Sequence, residues 1–420
     1  MYYLILYGLL GLVVLLLIAA AYIKITMRFW SMQPVFHVYD LWYWLRPPGV
    51  IQKSLPGMNK YTNVVNIKTF NLAAADLTPV LPILEDACAF IKAHYIPHHQ
   101  VVQYSPTPQN ILAYLSNANH AAFLSVYQKP TLLLAQAPLP VQVQAPLPVQ
   151  VQAPLLSAVV TARPLNVTRQ KNKEIFATYY VDNLCVAPSE RKRGLAPQMI
   201  QTLAYQLRLA NPQIQTCLFK RERDLTAIVP LVLFESECYQ ILPEWLTSNG
   251  LPGAGLPGGI TCIEIASGQL SLFMSFLNEH TQRFEWLVLP DLSNFATLIK
   301  TENLFVYGLL QGGDLLAVYV FRNTELFYSH QNKTRQKALE CIATICATSC
   351  ALDVFGQGLR AALRQIYARR AFGYVLLETT ADAAKLRPYL PQMQFSVPSA
   401  FYFYNYGSYT STAAKVLLVY

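Results

Sequence analysis

The sequence predicts an α/β protein of two similar halves behind one N-terminal transmembrane helix. Three features of the 420-residue chain carry this prediction. An uncharged apolar stretch opens the chain, a strand–loop–helix pattern occupies Tyr179–Asn211, and a mixture of helices and hairpins recurs in the second half. Two such halves facing each other would account for both the length and the pattern.

The opening stretch, Tyr2–Ile23, has no charged residue and would be about 33 Å long as a helix, enough to cross a bilayer core. Lys24 and Arg28 follow directly, so we expect a single-pass membrane protein whose remaining chain faces the cytosol. A cleaved signal peptide is the alternative, since Ala19–Ala21 resembles a cleavage site. The apolar core is too long for that, and no Lys or Arg precedes it.

Charged residues make up 13% of the chain, against roughly 25% in typical soluble proteins, and the net charge is +9. The basic residues are dispersed apart from Arg191–Arg193 and Lys220–Arg223. This distribution favours binding of phosphates, CoA or an anionic membrane face, and it does not indicate a nucleic-acid groove.

The eight cysteines form no Cys-x-x-Cys pair, so we expect buried thiols of a reducing compartment. Three of them lie in Thr334–Ala351, whose apolar spacing predicts an amphipathic helix. His94, His98 and His99 have no carboxylate or cysteine at ligand spacing. We therefore predict a surface loop at these histidines and no bound metal.

Several elements are predicted before the central pattern. Leu77–His94 is predicted to be a helix, and a second helix starts within Val101–Ser116. Ala121–Val126 and Leu155–Val160 are predicted to be neighbouring strands. Between them lies a proline-rich insertion at 136–154, in which QAPLPVQV occurs twice. Its prolines favour polyproline II, so we expect an expanded loop that projects from the sheet, with protein docking as the alternative role.

After the central pattern, Ala227–Phe234 is predicted to be a strand, and Leu251–Gly259 a Gly/Pro loop. Leu304–Phe321 is predicted to be a hairpin that turns at two adjacent glycines. Besides Thr334–Ala351, a helix is predicted at Gly358–Arg369.

The loop of the central pattern carries Arg191, Gly194 and Ala196 at the spacing of an RxxGxA motif. Glycine lets the backbone approach a ligand closely, and the amides of residues 193–196 would face out of a helix N-terminus. Three consecutive basic residues, 191–193, add charge where the helix dipole is already positive. The loop is therefore a candidate pyrophosphate cradle, with a solvated basic turn as the alternative.

Four segments resemble, in order, motifs of the glycylpeptide N-tetradecanoyltransferases (N-myristoyltransferases). FWSMQPV at Phe29–Val35 is similar to their Phe-Trp-x-Thr-Gln-Pro-Val arm, and Tyr104–Leu115 to their Tyr-Ser-x-Glu-Phe-Leu-x-Trp-Ala-Leu helix. LCVAPSERKRGLAP at Leu184–Pro197 resembles their Leu-Cys-Val…Arg-x-Lys-Arg-x-Ala-Pro signature. Phe401–Tyr420 resembles their Tyr-Asn-Trp motif and apolar chain end.

The resemblance implies two GNAT-like (acyl-CoA N-acyltransferase) halves in a pseudo-twofold arrangement, at 29–215 and 216–420, after an anchor at 1–28. Together with the apolar opening stretch, which soluble members of the family lack, it implies a membrane-anchored protein N-myristoyltransferase. Such an enzyme takes the acyl group of myristoyl-CoA and transfers it to the N-terminal glycine of acceptor proteins. Neither a metal nor a nucleic acid takes part in the predicted reaction.

The resemblance also implies individual roles. The backbone amides of Asn183 and Leu184 would form the oxyanion hole for the thioester carbonyl. The chain-terminal carboxylate, on Tyr420, would be the general base that takes a proton from the glycine ammonium. The residues that would hold CoA lie in the arm and in the loop: Phe29, Trp30, Gln33, Arg191, Lys192, Arg193, Gly194, Leu195 and Ala196.

The chain departs from the family at several positions. Asn183 stands where the family has Phe, and Arg193 and Gly194 replace a Lys and an Arg. QFSVPSA at Gln394–Ala400 lacks the Asp and the glycines of the acceptor-binding Lys-Phe-Gly-x-Gly-Asp-Gly loop. Two alternatives therefore stay open: a GNAT-type acyltransferase with another acyl-CoA or acceptor, and a catalytically degenerate structural membrane protein on the same fold. The retained loop and chain end argue against the second.

Overall fold

The computed structural model describes residues 2–26, 28–45, 48–72, 79–96, 102–128, 156–247, 256–329 and 335–420. Within these ranges the α-helices are α1 (Tyr2–Thr26), α2 (Leu41–Leu45), α3 (Leu81–His94), α4 (Pro108–Leu115), α5 (Leu195–Ala210), α6 (Pro243–Thr247), α7 (Leu270–His280), α8 (Leu292–Lys300) and α9 (Leu352–Arg369).

The strands are β1 (Gly49–Val50), β2 (Ile67–Asn71), β3 (Val102–Tyr104), β4 (Phe123–Gln128), β5 (Leu156–Arg169), β6 (Glu174–Val186), β7 (Cys217–Glu222), β8 (Val232–Gln240), β9 (Ile260–Glu264), β10 (Trp286–Leu289), β11 (Leu304–Gln311), β12 (Asp314–Tyr328), β13 (Gln336–Cys346), β14 (Tyr374–Glu378), β15 (Met393–Tyr404), β16 (Tyr406–Gly407) and β17 (Val416–Leu418). Apart from the short pair β1–β16, they form one mixed sheet of 15 strands. Its main order is β17-β10-β5-β6-β7-β15-β8-β14-β13-β12-β11-β9. The α/β fold class predicted from the sequence is confirmed.

The same strand–helix–strand unit occurs twice in this sheet. In the first, β6 leads through α5 to β7, which pairs parallel to β6. In the second, β13 leads through α9 to β14, which pairs parallel to β13. A parallel connection needs a crossover long enough for a helix, so both helices lie between the strands that they join in sequence. The recurrence agrees with two similar halves, while the boundary at residue 215 stays a prediction.

The first crossover helix is held by its apolar face. Met199, Leu203 and Leu207 of α5 are buried in one cluster with Val160 of β5 and Tyr179 of β6. These residues recur at helical spacing, which is why the sequence pattern predicted this helix correctly. The packing fixes where α5 begins, and with it the loop that precedes the helix.

One predicted helix is wrong. Thr334–Ala351 contains the strand β13, which lies between β12 and β14. Residues 338–346 are buried without interruption, because both faces of this central strand are covered. A continuous apolar run has no period that separates strand from helix, so the sequence pattern was ambiguous here. The cysteines at 341, 346 and 350 are nevertheless buried free thiols, as predicted.

The chain begins with a 25-residue helix, α1, in the place of the predicted transmembrane segment. Its described apolar side chains are largely exposed; Leu15, for example, is 65% exposed. Judged over the described residues, none of the helices combines the length and the apolar character that crossing a membrane requires. The structure therefore does not support the transmembrane assignment.

The repeat at Gln136–Val151 and the histidines at 98 and 99 lie outside the described residues. The strands on either side of the insertion, β4 and β5, are paired antiparallel from Phe123 to Gln128, as a hairpin requires. The predicted neighbouring strands are thus confirmed.

Deletion of Gln136–Val151 is expected to leave folding and turnover near normal. The flanking strands are paired with each other along Phe123–Gln128, so a shorter loop can still join them. Thermal unfolding and acyl transfer to a soluble peptide, compared with the full chain, test this. A collapse of either would show that the repeat packs on the fold or on its site.

Candidate active site

The candidate site lies where β6 and β7 separate. β6 pairs with β7 only at Tyr179 and Tyr180, although it continues to Val186. Beyond Tyr180 the edge of β6 has no ladder partner in β7, so the two strands leave a gap between them. Backbone groups along such an edge are available to a ligand that enters the gap.

A β-bulge marks β6 beside this gap. The pairing with β5 shifts by one residue between Asp182 and Cys185, and Asn183 takes a left-handed conformation with φ 54°. Thr161 of β5 fixes the bulge, because its hydroxyl donates to the Asp182 carbonyl at 3.1 Å and accepts from the Asn183 side-chain amide at 3.0 Å. The bulge is the point at which the oxyanion hole was predicted.

One of the two amides of the predicted oxyanion hole is already hydrogen-bonded within the protein. The backbone N–H of Asn183 donates to the carboxylate of Asp182 at 2.7 Å, so in this state it is occupied and faces a negative charge. The side chain of Leu184 packs against the apolar cluster around α5. The sequence around residue 183 could not show this hydrogen bond, because the Asp182 carboxylate reaches the adjacent amide only in the conformation that the bulge imposes.

The loop after β6 has the conformation that its glycine predicts. A short 3₁₀ turn at Pro188–Glu190 leads to Gly194, which caps α5 with φ 81°. This left-handed conformation is strained for any residue with a Cβ. Leu195 is buried and Ala196 packs on the same cluster, so their side chains hold the loop, while Gly194 at the start of α5 lines a cavity.

The basic residues of the loop do not act alike. The guanidinium of Arg191 donates to the carbonyl of Val186 at 3.1 Å and to that of His94 at 2.9 Å, so it ties the loop to β6 and to the end of α3. Lys192 is exposed, and Arg193, whose side chain is 68% exposed, lies 3.7 Å from a carboxylate oxygen of Glu190. Arg191 therefore has a structural role here, and phosphate binding by Arg191 stays a prediction.

The predicted arm meets the start of α5. Phe29, Trp30 and Gly194 line one cavity of about 530 Å³, which we call the arm cavity. Trp30 stacks on Phe219 of β7, with ring centroids 6.2 Å apart. Gln33 does not line it: this buried side chain donates to the Phe29 carbonyl and accepts from a tyrosine hydroxyl, and so it braces the arm.

A second cavity, of about 630 Å³, lies against the bulge. We call it the tyrosine cavity, because its lining includes Tyr95, Tyr104, Tyr114, Tyr180 and Tyr328. Asp182 and Asn183 also face it. The volume is in the range of pockets that bind small molecules or a short peptide segment.

The two cavities lie on opposite faces of β7. Lys220 and Glu222 line the tyrosine cavity, whereas Arg221 lines the arm cavity. Successive side chains of a strand point to opposite faces. The gap between β6 and β7 therefore lies between the arm cavity, which is lined by the start of α5, and the tyrosine cavity, which is lined by the bulge.

A cluster of charged side chains lies at one wall of the tyrosine cavity, which Lys220, Glu222 and Arg322 line, and it includes the buried Glu340 and Glu378. The Nζ of Lys220 lies 2.5 Å from Glu378, 2.7 Å from Glu222 and 3.4 Å from Glu340. Arg322 bonds Glu340 through Nε and Nη2, at 2.8 and 2.5 Å. We call Lys220, Glu222, Arg322, Glu340 and Glu378 the charge cluster.

The pKa values of two carboxylates in the cluster are shifted in opposite directions. Burial alone would raise the pKa of Glu340, but the charges of Arg322 and Lys220 lower it to about 2. Burial raises the pKa of Glu378 to about 7, because Lys220, its cationic partner, is shared with the other carboxylates.

Glu378 is expected to lower the stability of the protein, relative to a Glu378→Gln variant, as the pH rises from about 4.5 to about 7. In this window the unfolded carboxyl releases its proton, while the folded one, with a pKa of about 7, still holds it. Over this window the free energy of unfolding of the wild type falls by up to about 3 kcal/mol relative to that of Glu378→Gln and then levels off. Urea unfolding across pH 4.5–7.5 measures it. Parallel curves would contradict the prediction.

Tyr420 lies behind the tyrosine cavity and is fully buried. β17 pairs parallel to β10, and the amide of Val419 donates to the Val288 carbonyl at 2.8 Å, so the chain end is held in the sheet. The Tyr420 hydroxyl donates to Glu378, and its ring lies 4.5 Å from the Arg322 guanidinium carbon. Tyr420 is not a lining residue, but it contacts residues that are.

Sequence reasoning missed the charge cluster and Arg163. The cluster comes from four strands, β7, β12, β13 and β14, and Arg163 from β5; these residues are up to 215 positions apart in sequence, and no local spacing connects them. The basic run Lys220–Arg223 contributes to the charge that favours anion binding, but Lys220 is neutralised by carboxylates of the same chain. Over the described part of the chain, no group of three or more potential ligands could hold a metal ion.

The chain thus has an α/β fold in which two parallel strands separate beside a bulge and a glycine caps the crossover helix. No protein-family model and no curated protein sequence matches the chain. Solved structures that share the fold are N-myristoyltransferases of Saccharomyces cerevisiae. One, with bound myristoyl-CoA, has a TM-score of 0.67 at 12% identity and covers 94% of this chain and 99% of its own.

A second yeast N-myristoyltransferase structure with bound myristoyl-CoA has a TM-score of 0.66 at 14% identity and covers 94% of each chain. A third, with bound myristoyl-CoA and inhibitors, gives the same TM-score and identity, covering 94% of this chain and 96% of that one. At such low identity the likeness establishes the fold. The resemblance seen in the sequence motifs is thereby confirmed at the level of the fold.

Proposed function

We propose that the protein is an N-acyltransferase that moves an acyl group from acyl-CoA to an amine. The observation that carries this proposal is the gap between β6 and β7, with the N-terminus of α5 on one side and the β6 bulge beside it. A pyrophosphate suits a helix N-terminus preceded by a glycine loop, and a thioester suits an unpaired strand edge. Yeast structures of the same fold hold myristoyl-CoA, which supports myristoyl-CoA as the donor.

The donor would enter from the arm cavity. Gly194 and the amides at the start of α5 would hold the phosphates, and Lys192 and Arg193 would add charge from solvent. Phe29 and Trp30 would cover the CoA moiety, because they line the same cavity. The acceptor amine would enter from the tyrosine cavity on the other face.

In the reaction the amine nitrogen attacks the thioester carbon, the C–S bond breaks, and CoA leaves as the thiol. The proton lost by the ammonium would pass to the terminal carboxylate on Tyr420, as the predicted general base. The oxyanion would form at the bulge, with the Leu184 amide as donor. The Asn183 amide could join it when the substrate carbonyl replaces the Asp182 carboxylate.

The acceptor proposed is the N-terminal glycine of a peptide. Incubation with myristoyl-CoA and a Gly-initiated peptide, followed by mass spectrometry, should show the mass of one added acyl group, and an N-acetylated copy of the peptide should stay unmodified. A series of acyl-CoA chain lengths would detect a different donor. Acyl-CoA binding without transfer to any amine would overturn the enzymatic proposal and favour a degenerate fold.

We extend the proposal to membrane association with the bulk of the protein in the cytosol. It is supported by α1, whose described apolar side chains, such as Ile5, Leu15 and Tyr22, are 57–67% exposed and need a lipid or protein cover. The full chain is expected to float with liposomes, and a chain without residues 2–26 to remain at the bottom. Equal flotation of both would contradict this role for α1.

A further inference from the structure

Arg163 is a buried cation that no carboxylate of the described chain neutralises by contact. Only 4% of it is exposed, and Nη1 and Nη2 have no hydrogen-bond partner within the described residues. The guanidinium carbon lies 4.9 Å from the ring of Tyr114 and 5.5 Å from that of Tyr180. Ring faces attract a cation, but they do not replace the hydrogen bonds that a guanidinium loses on leaving water.

The other buried cations of the same cavity are satisfied. Lys220 contacts three carboxylates, and Arg322 binds Glu340 through two nitrogens. Asp182, the nearest acidic neighbour on the facing strand, accepts the Asn183 amide. Arg163 is thus a donor group that faces a cavity and has no acceptor there.

The position of Arg163 relates it to the proposed reaction centre. In the antiparallel ladder Arg163 lies opposite Tyr180, and Thr161 opposite Asp182. All four residues line the tyrosine cavity, so they share one face of the sheet. Diagonal neighbours of this kind have Cβ atoms within about 7–8 Å, and one peptide residue spans about 3.3–3.6 Å. A group bound by Arg163 therefore lies within about two residues of an amine at the bulge.

We propose that Arg163 binds a carboxylate of the acceptor, one that lies within about two residues of the reactive amine. A guanidinium with two free nitrogens matches the two oxygens of a carboxylate. The carboxylate can come from an acidic side chain after the N-terminal glycine or from the free terminus of a short peptide. This inference rests on the proposed acyl transfer and names its acceptor more closely. The segment Gln394–Ala400, which departs from the family's acceptor-binding loop, lies wholly within β15.

Four acceptors distinguish a side-chain carboxylate from a terminal one: Gly-Asp-amide, Gly-Asn-amide, Gly-Ala with a free C-terminus, and Gly-Ala-amide. With myristoyl-CoA, the kcat/KM of the wild-type protein is expected to favour a carboxylate over its neutral counterpart by at least about tenfold. Preference in the first pair identifies a side-chain carboxylate, and preference in the second a terminal one. Either result supports the proposal.

In Arg163→Gln the preference should disappear through a higher KM for the acidic acceptor, while Arg163→Lys should keep part of it. The matched control is Arg169→Gln: Arg169 is a buried arginine of the same strand, 5.3 Å from the Trp286 ring and outside the cavity lining. Thermal unfolding checks that the variants fold, and Arg163→Lys carries the test if Arg163→Gln does not.

Results that would overturn the carboxylate site can be told apart from results that would overturn the proposed function. Acyl transfer without any carboxylate preference, or an equal fall of kcat for acidic and neutral acceptors in Arg163→Gln, overturns the carboxylate site and leaves the proposed function standing. Loss of the preference in Arg169→Gln as well would show a general structural effect and would also overturn it. If no acyl group is transferred to any of the four acceptors or to any other amine, the proposed function is overturned, and this inference with it.

Discussion

Addition of one glycine after Tyr420 is expected to lower the rate of acyl transfer by about 10²- to 10⁴-fold. The strand β17 and the bond from Val419 to Val288 fix the last residue in the sheet, so an added residue moves the terminal carboxylate away from its position. A positioned base loses its effect when it is displaced by an ångström or more. Single-turnover rates with saturating myristoyl-CoA and peptide measure the change.

Acyl-CoA affinity should persist in this variant, because the loop before α5 makes the proposed CoA contacts. A control insertion of one glycine at the exposed turn between Gly312 and Gly313, which joins β11 to β12, should leave the rate near that of the wild type. Removal of Tyr420 should resemble the extension, with an added loss of stability from the lost contact to Glu378. An extended protein that transfers acyl groups at the wild-type rate would refute the terminal carboxylate as base.

Neutralisation of Lys192 and Arg193 together, as Lys192→Gln and Arg193→Gln, is expected to weaken acyl-CoA binding by at least about tenfold. Both side chains are exposed beside the N-terminus of α5, and bonds from them to phosphate would be charge-assisted. Calorimetry with myristoyl-CoA measures the affinity, and the dependence on salt should become weaker in the variant.

The choice of these two residues follows from the structure. The sequence motif also places Arg191 among the residues that would hold CoA, but Arg191 donates to two backbone carbonyls, so its replacement would loosen the loop as well as remove charge. Lys171→Gln with Lys173→Gln is the matched control, since it removes the same charge from the exposed turn between β5 and β6. Unchanged affinity in the loop variant, or an equal loss in the control, would remove the phosphate assignment from this loop.

Local patterns predicted the part of the site that depends on neighbours in sequence. The apolar spacing of Met199, Leu203 and Leu207 predicted the crossover helix, and Gly194 predicted the turn before it. The hairpin of β11 and β12 followed from the two glycines at its turn, both of which have positive φ. Each of these depends on conformational preferences and periodicity within about twenty residues, which the chain carries wherever it is placed in a fold.

The sequence by itself determined the α/β class, the strand–loop–helix unit, the arm and the similarity of the chain end to a known family of acyltransferases. The tertiary structure decided that β13 is a strand, since burial on both faces erased its period. It also decided that Arg191 bonds to backbone carbonyls while Lys220 is neutralised, and that Arg163 faces a cavity with no hydrogen-bond partner for Nη1 and Nη2 among the described residues. The physical reason is common to all of these: burial and charge pairing are set by strands distant in sequence, and no local spacing records which strands will meet.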